Sequence, residues 1–365
     1  MNSDLRQKII KVLTVIITIY LFLLSIKLLG HSFKLFGKEF AEAMLQTTSN
    51  PFTGLIIGIV ATSLIQSSST TTSIVVGLVA GGVISLENSI PIIMGANIGT
   101  TVTNTLVSLG HVGRKAEFKR AFAAGIVHDF FNISAVIVLF PLELQYHLIQ
   151  KTAVFLNGKF TGVGGMKMFN PLKAILNPAI HGIDNLITDI PAKEVVLMFI
   201  SIIGMFAALV FLIKAIRSLV VNKIEIIINK YLFKNDLMGM TWGMLMTFIV
   251  QSSSVTTSLI VPLAGAGIVK LRKIFPYTMG ANIGTTGTAL LAALATGMPE
   301  AVTASFAHLV FNVFAILIFY PLKFIPLTMA EKASVYVSES KKNLTIFLMV
   351  YSLVYFVPIL FITLS

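Results

Sequence analysis

Residues 64–75 read Leu-Ile-Gln-Ser-Ser-Ser-Thr-Thr-Thr-Ser-Ile-Val, and residues 249–260 read Ile-Val-Gln-Ser-Ser-Ser-Val-Thr-Thr-Ser-Leu-Ile. Each run is a side-chain amide followed by hydroxyls, with no charged residue inside it and apolar residues on both sides. Unpaired polar groups are costly at the depth of a membrane, so such a row is tolerated where it lines a cavity or binds a ligand. Because the motif occurs twice, we expect two halves of the chain to meet around one site.

The composition is that of a membrane protein. Of the 365 residues, 12% are charged and 56% are hydrophobic, whereas a soluble domain has roughly 25% charged residues. The apolar stretches are about 20 residues long, which predicts an all-α polytopic membrane protein rather than a barrel of short alternating strands. The net charge of +12 is assigned to Lys and Arg in cytoplasmic loops, not to nucleic-acid binding. The chain has no cysteine, which excludes disulfides, thiolate metal sites and cysteine nucleophiles.

The second half of the chain repeats the first. Residues 276–286 (Pro-Tyr-Thr-Met-Gly-Ala-Asn-Ile-Gly-Thr-Thr) follow residues 91–101 (Pro-Ile-Ile-Met-Gly-Ala-Asn-Ile-Gly-Thr-Thr) by 185 positions, the spacing that also separates the two Gln-Ser-Ser-Ser motifs. Further along, His308 follows His128 by 180 positions. This constancy indicates an internal duplication that lost five residues in one loop.

The charges of corresponding loops predict how the two repeats are oriented. Residues 270–273 (Lys-Leu-Arg-Lys) correspond to residues 85–88 (Ser-Leu-Glu-Asn), and the basic loop at 114–120 corresponds to 296–300, which contain no base. Basic loops lie mainly on the cytoplasmic side, so corresponding loops are predicted on opposite faces and the repeats are predicted to be inverted. The basic residues Arg6, Lys8 and Lys11 before the first apolar run place the N-terminus in the cytoplasm, and the loop charges favour an outside position for the C-terminus.

The chain is predicted to have six parts. They are a first transmembrane span at 1–34, repeat 1 at 35–142, an extracellular loop at 143–191, a span opening repeat 2 at 192–218, the core of repeat 2 at 219–322, and a basic loop with the last span at 323–365. Each repeat is expected to contain a re-entrant hairpin at its Gln-Ser-Ser-Ser motif, then a broken span, then a further span. The loop at 143–191 is expected to be exposed, with one short interfacial helix.

A broken helix at each motif would offer two kinds of ion ligand. Free N–H groups at a helix N-terminus favour an anion, whereas free carbonyls and hydroxyls favour Na⁺. The Gly-Ala-Asn-Ile-Gly-Thr-Thr segments have glycines in mid-span, which favours local unwinding, although close helix packing by small residues is an alternative.

Asp129 is the carboxylate that we place well inside a predicted span. Its counterpart in repeat 2 is Leu309, so the duplication does not account for it. An intramembrane carboxylate indicates a functional site, here a cation ligand, and the alternative is a local ion pair with Lys119 or Arg120.

His128 and His308 each precede an asparagine by four residues, which places each pair on one helix face. For these histidines a structural role and a proton or ligand role both stay open.

Three features together resemble the type II sodium-dependent phosphate cotransporters. They are the doubled Gln-Ser-Ser-Ser, the doubled Gly-Ala-Asn-Ile-Gly-Thr-Thr, and residues 120–132, which read Arg-Ala-Phe-Ala-Ala-Gly-Ile-Val-His-Asp-Phe-Phe-Asn. The resemblance extends from about Asn50 to Pro321 and implies Na⁺-driven import of inorganic phosphate, mainly as the divalent anion. Asp129 falls where electrogenic members carry the Asp that helps to bind an additional Na⁺, which implies net movement of positive charge in each cycle.

The motifs and the resemblance together assign the ligands. Phosphate is expected at Gln66, Ser67, Ser68, Ser69, Asn97, Gln251, Ser252, Ser253, Ser254 and Asn282. Na⁺ is expected at Asp129, Thr100, Thr103, Gln251, Ser252, Thr285 and Thr288. No covalently bound cofactor is expected, and Na⁺ is the coupling ion. The expected partners are inorganic phosphate, Na⁺ and membrane lipid but no nucleic acid, with a homodimer left open.

The predicted function is secondary active transport at the cell (inner) membrane, by alternating access and not by enzyme catalysis. A Na⁺-coupled carrier of another anion, such as sulfate, arsenate or a dicarboxylate, stays an alternative. An intramembrane enzyme acting on a lipid phosphate would need an acid/base cluster at one membrane face, which the lone Asp129 and two separated histidines do not supply. A channel would not need a matched pair of closed hairpins.

Overall fold

The computed structural model describes residues 9–18, 50–80, 84–160, 171–187, 190–197, 234–250, 252–296 and 298–364, with isolated positions between 20 and 35 and between 199 and 211. Most of the predicted first span at 1–34 and about half of the span at 192–218 lie outside these residues.

The described residues form helices joined by short turns. The helices are α1 (Ile9–Thr18), α2 (Pro51–Ile65), α3 (Ser68–Ala80), α4 (Leu86–Gly99), α5 (Val102–Leu109), α6 (Lys115–Tyr146), α7 (Leu148–Phe160), α8 (Pro171–Leu186), α9 (Asp236–Val250), α10 (Ser253–Ser258), α11 (Ile260–Gly265), α12 (Leu271–Thr296), α13 (Pro299–Phe319), α14 (Phe324–Glu339) and α15 (Lys341–Leu364). Within the described part of the chain, three stretches are long and apolar enough to cross a membrane, namely Leu86–Leu109, α6 and α13. The all-α polytopic membrane protein predicted from composition is confirmed.

The first helix pair of each repeat packs in the same way. A Cβ added to Gly58 of α2 would lie under 3.0 Å from the carbonyl oxygen of Ile92 in α4. A Cβ added to Gly243 of α9 would meet the carbonyl oxygen of Tyr277 in α12 just as closely. Both members of the second pair lie 185 positions after those of the first. The duplication seen in the sequence therefore extends to the backbone contact between the two helices.

The two repeats are interlocked. Helix α3 of repeat 1 packs against α12 and α13, and its counterpart α11 packs against α5 and α6. The Phe131 ring of α6 joins the halves further, with edge contacts to Phe275 at 5.7 Å and Phe319 at 6.3 Å between ring centroids. Each repeat thus completes its packing against the other around a shared centre.

Contacts at the helix ends bring particular loops together. At one end, Arg120 donates from Nη2 to the Gly265 carbonyl oxygen at 2.7 Å, beside the loop that precedes α12. At another, Asn157 of α7 donates to the Pro299 carbonyl oxygen at 3.0 Å, at the start of α13. The loop before α6 therefore lies with the loop before α12, and the helix after α6 lies with the start of α13.

Three expectations differ from the structure. Repeat 2 has no break in its Gly-Ala-Asn span, because α12 is continuous from Leu271 to Thr296. The predicted loop at 143–191 contains two helices, α7 and α8, and α7 starts where the Glu143 carboxylate accepts the Ile149 N–H at 2.6 Å. The predicted basic loop after residue 322 is largely the helix α14, which buries apolar residues such as Leu327 in contact with α6.

Candidate functional site

The first Gln-Ser-Ser-Ser motif forms the turn between α2 and α3. Gln66 ends α2 with left-handed backbone angles, φ 56° and ψ 28°, and its N–H donates to the Thr62 carbonyl oxygen. Its side chain is buried: Nε2 donates to the Ser63 carbonyl oxygen, and Oε1 accepts from the Thr103 hydroxyl. The amide therefore ties the end of α2 to the span that follows the hairpin.

The serines after Gln66 begin the next helix. Ser67 Oγ accepts the N–H of Thr70 at 3.2 Å and its hydroxyl at 2.9 Å, which caps α3. Ser68 and Ser69 lie in the first turn and are buried, and no described residue pairs with the Ser69 hydroxyl. The first N–H groups of a helix have no partner inside it, so this turn presents donors to the interior.

The second motif is built in the same way and contacts the first repeat. Ser252 caps α10 by accepting the Val255 N–H at 3.3 Å. Ser253 and Ser254 are buried, and Ser254 donates to the Thr100 carbonyl oxygen at 3.1 Å. Gln251 lies outside the described residues.

A cluster of hydroxyls surrounds Asp129. Thr101 donates to Oδ1, Thr105 donates to Oδ2 at 3.2 Å, and two tyrosines of the last helix donate to Oδ1, Tyr351 at 3.2 Å and Tyr355 at 2.7 Å. Asp129 is 3% exposed, so this carboxylate is withdrawn from solvent. Four hydroxyl donors are the arrangement that satisfies an ionised carboxylate, which only accepts hydrogen bonds.

The ion pair considered from the sequence does not form. Arg120 donates to the Gly265 carbonyl oxygen from Nε at 3.1 Å and from Nη2 at 2.7 Å. None of the ion pairs among the described residues includes Asp129. The alternative that Lys119 or Arg120 neutralises Asp129 is therefore wrong for this conformation.

Two histidine–asparagine contacts join the repeats at the centre. His128 Nε2 lies 2.7 Å from Asn282 Oδ1, and Asn282 Nδ2 donates to Asn132 Oδ1 at 2.8 Å. The second contact joins a histidine of repeat 2 to an asparagine of repeat 1, with His308 Nε2 lying 3.4 Å from Asn97 Oδ1. Both histidines are fully buried, which favours the structural role left open from the sequence.

Asn97 and Asn282 therefore lie in contacts that hold the halves together. Both ends of each amide are engaged, since Asn97 Nδ2 also donates to the Ile93 carbonyl oxygen at 2.9 Å. The assignment of Asn97 and Asn282 to phosphate stays a prediction. Phosphate binding there would require these hydrogen bonds to break.

The threonines assigned to Na⁺ are divided between two regions. Thr100 donates to the Ala96 carbonyl oxygen at 2.9 Å, whereas Thr103 faces Gln66, so neither contacts Asp129. In repeat 2, Thr285 donates to the Ala281 carbonyl oxygen at 3.1 Å, and the buried Thr288 hydroxyl has no partner among the described residues. The structure thus brings together Gln66 with Thr103, and separately Asp129 with Thr101 and Thr105.

Sequence reasoning missed the two tyrosines at Asp129. Tyr351 and Tyr355 are one helical turn apart in a span that lies outside the duplication. A tyrosine hydroxyl inside an apolar span needs a hydrogen-bond partner, and this signal could have indicated them.

Among the described residues, the buried site consists of neutral hydroxyl and amide groups, two imidazoles and one carboxylate, that of Asp129. No group of three or more His, Cys, Asp or Glu residues able to hold a metal ion occurs in the described part of the chain. Hydroxyls, carbonyls and one carboxylate are hard oxygen ligands, which suit an alkali cation, while helix N-terminal donors suit an oxyanion.

Comparison with known proteins agrees with this chemistry. The model of the Na⁺/Pi-cotransporter family matches residues 21–167 and 202–338. Sodium-dependent phosphate transport protein 2A of Rattus norvegicus is 33% identical over 407 aligned residues, which cover 90% of this chain and 64% of the relative. Protein 2B of Homo sapiens is 31% identical over 409 residues, covering 86% and 59%. The chain thus spans less than two thirds of the length of these relatives, and no solved structure matches it.

Proposed function

The chain belongs to the Na⁺/Pi-cotransporter family, and we propose from this premise that it imports inorganic phosphate together with Na⁺ across the cell membrane by alternating access. The observation that carries the proposal is the match along both repeats, which include both Gln-Ser-Ser-Ser motifs. The relatives reported above bear names of sodium-dependent phosphate transport proteins.

Phosphate binds between the two serine turns. The start of α3 and the start of α10 both lie at a buried motif, and helix N-terminal N–H groups together with serine hydroxyls are suited to an oxyanion. The buried Ser69 hydroxyl, which has no partner among the described residues, supports this assignment. Gln66, Ser67, Ser68 and Ser69 act from repeat 1, and Gln251, Ser252, Ser253 and Ser254 act from repeat 2.

Na⁺ binds beside the phosphate site and at Asp129. Gln251, Ser252, Thr285 and Thr288 supply oxygen ligands in repeat 2, and Asp129 supplies a carboxylate in repeat 1. Burying phosphate next to an ionised Asp129 is unfavourable without cations, so the loaded state needs Na⁺ before it closes. The cation held by Asp129 adds net positive charge to each cycle, which makes transport electrogenic.

The two repeats are inverted, with the N-terminus in the cytoplasm. The contact of Arg120 with Gly265 brings the loop before α6 beside the loop before α12, and these are not corresponding loops of the duplication. The contact of Asn157 with Pro299 supports the same arrangement at the start of α13. Both of the loops joined by Arg120 are basic, as expected of a shared cytoplasmic face.

The test is phosphate uptake by the full chain in proteoliposomes. An inward Na⁺ gradient is compared with an equal K⁺ gradient, at zero membrane potential and at an inside-negative potential. We expect uptake that requires Na⁺ and increases when the interior is negative. Uptake that requires Na⁺ but does not change with membrane potential would contradict the electrogenic cycle and leave Na⁺-coupled phosphate import in place.

Competing anions separate phosphate from the alternative substrates. Sulfate, arsenate and a dicarboxylate are added at tenfold excess over labelled phosphate. Arsenate should compete because it has the shape and charge of phosphate, while sulfate and the dicarboxylate should not. Na⁺-driven uptake of one of the latter anions, with none of phosphate, would overturn the proposed substrate.

A further inference from the structure

The last helix reaches the site although it lies outside the duplicated repeats. Helix α15 (Lys341–Leu364) begins after residue 338, where the match to the family model ends. It nevertheless supplies two of the four hydroxyls on Asp129, from Tyr351 and Tyr355. The helix therefore has a direct contact with the one carboxylate of the buried site.

The tyrosine rings are fixed in a column of aromatic side chains. Tyr351 and Tyr355 stack at 4.4 Å between ring centroids with 26° between their planes. Phe347 stacks on Tyr351 at 5.7 Å, and Phe122 of α6 contacts Phe347 edge-on at 5.1 Å. Since Tyr355 stacks on Tyr351 and Tyr351 also stacks on Phe347, the hydroxyl oxygens are held in place and mainly the O–H directions can change.

Both tyrosines crowd the same carboxylate oxygen. Oδ1 of Asp129 accepts from Tyr351, Tyr355 and Thr101, while Oδ2 accepts only from Thr105 among the described residues. A cation that coordinates Oδ1 needs the electron pairs that these hydrogens occupy. Hydrogen bonds to a charged group are strong, so the bound hydroxyls are effective competitors of a cation.

We propose that Tyr351 and Tyr355 are positioning residues that hold the Asp129 carboxylate when no cation is bound and compete with Na⁺ for its Oδ1 atom. On cation binding both hydroxyls turn their hydrogens away from Oδ1. The last helix thereby sets the Na⁺ affinity of the Asp129 site. This inference rests on the proposed function, because it takes Na⁺ as the coupling ion.

The two tyrosines do not contribute equally. Tyr355 is 1% exposed and its hydroxyl lies 2.7 Å from Oδ1, whereas Tyr351 is only partly buried and lies at 3.2 Å. The shorter and drier hydrogen bond competes more strongly with a cation. Removal of the Tyr355 hydroxyl is therefore expected to change Na⁺ affinity more than removal of the Tyr351 hydroxyl.

The experiment uses the full chain with Tyr355→Phe, Tyr351→Phe and both together. Thermal unfolding is followed as NaCl replaces KCl without phosphate, and the Na⁺ concentration for half-maximal uptake is measured separately from the maximal rate. We expect the half-maximal Na⁺ concentration to fall about tenfold for Tyr355→Phe and about threefold for Tyr351→Phe. Tyr336→Phe, on an exposed part of α14, is the matched control and should shift neither value.

An unchanged or increased half-maximal Na⁺ concentration in Tyr355→Phe, against a wild type that responds to Na⁺, would overturn this inference alone. In an Asp129→Asn background the Tyr355→Phe change should produce no further shift, and a persisting shift would show that it does not act through Asp129. A wild type that shows neither Na⁺ stabilisation nor Na⁺-dependent uptake would overturn the proposed function and this inference together.

Discussion

The same seven residues, Gly-Ala-Asn-Ile-Gly-Thr-Thr, end one helix and lie inside another. In repeat 1 the chain makes a tight turn at Thr100 and Thr101, where the Thr101 N–H donates to the Ile98 carbonyl oxygen at 3.4 Å, between α4 and α5. In repeat 2 the segment lies within the continuous helix α12. Identical residues have identical helix propensities, so propensity does not explain the difference.

The helices that follow the two segments, α6 and α13, differ at one corresponding position. The hydroxyls of Thr101 and Thr286 both donate to a carbonyl three residues earlier, at 2.8 and 2.7 Å. The one Thr101 hydrogen is shared between the Ile98 carbonyl oxygen and the Asp129 carboxylate, whereas the residue of repeat 2 that corresponds to Asp129 is Leu309, whose side chain accepts no hydrogen bond. The acceptor on α6 that Thr101 has and Thr286 lacks is therefore a difference between the two repeats that accompanies the turn at Thr100 and Thr101.

The largest effect is expected when repeat 1 is given the residue of repeat 2. Asp129→Leu removes the charged cation ligand and leaves the hydroxyls of Thr105, Tyr351 and Tyr355 without this acceptor. We expect Na⁺-coupled uptake to fall about 100-fold, which corresponds to about 3 kcal/mol of lost binding. Amide hydrogen exchange at residues 100–105 should slow, because the interrupted helix becomes continuous like α12.

The surface carboxylate Asp236 provides the control for that variant. It pairs with Lys323 at 2.6 Å, and exposed pairs contribute little, so Asp236→Leu should leave uptake within about twofold of wild type. Uptake by Asp129→Leu that equals wild type and keeps its dependence on potential would contradict the comparison.

The next effect concerns the turn at Gln66, which has left-handed backbone angles in repeat 1. Gln66→Gly relieves about 1 kcal/mol of backbone strain but removes the amide between Ser63 and Thr103, while Gln66→Ala removes the amide and keeps the strain. We expect phosphate uptake to fall about tenfold in both variants. We also expect Gln66→Gly to unfold at a higher temperature than Gln66→Ala, because only the glycine variant relieves the backbone strain. Wild-type uptake in Gln66→Ala and also in Gln251→Ala would contradict the site assignment.

The 185-residue spacing indicated an internal duplication, and the same spacing recurs in the contacts between helices. Gly95 lies against Leu55 and Gly280 against Met240, where an added Cβ would collide with backbone in both repeats. Such contacts follow from sequence because small residues at fixed spacing determine how closely two helices approach. The all-α membrane fold followed from composition for a similarly general reason.

The broken span predicted for both repeats is present only in repeat 1, and the tyrosines at Asp129 were missed. Both differences involve contacts of Asp129 with distant side chains, and Tyr355 is separated from it by 226 positions. The duplication gave no information there, since Asp129 has no acidic counterpart and α15 belongs to neither repeat. Periodicity describes what the halves share, including the two serine turns, whereas the hydroxyl cluster around Asp129 lies where the halves differ.

A smaller effect is expected from the two histidines that join the repeats. Both are fully buried, so truncation leaves a similar cavity in each case. His128 Nε2 lies 2.7 Å from its asparagine oxygen and His308 Nε2 lies 3.4 Å from its own, so the first contact is the stronger. We expect His128→Ala to lower the free energy of unfolding by about 1 kcal/mol more than His308→Ala, measured by thermal unfolding in detergent. Equal losses would mean that the two contacts are equivalent.

The smallest effect concerns His111, in the loop that joins α5 to α6. Burial, with smaller contributions from the positive charges of Arg114 and Arg120, lowers the pKa of the His111 imidazole from 6.5 to about 4. Glu117 is the nearby carboxylate, with Oε2 at 3.8 Å from Nδ1. Between pH 6.5 and about 4 the unfolded chain therefore binds more protons than the folded chain, and stability falls as the pH is lowered through this window.

The corresponding loop of repeat 2, residues 296–300, contains no histidine, so this dependence on pH belongs to repeat 1 alone. His111→Gln keeps a neutral polar side chain and should reduce the loss of Tm between pH 7 and pH 5 by about 2 °C. Arg114→Gln should give part of that reduction, because removing one positive charge raises the pKa of His111 towards its ordinary value. Identical slopes in wild type and His111→Gln would contradict the assignment, since the acid sensitivity would then arise from groups other than His111.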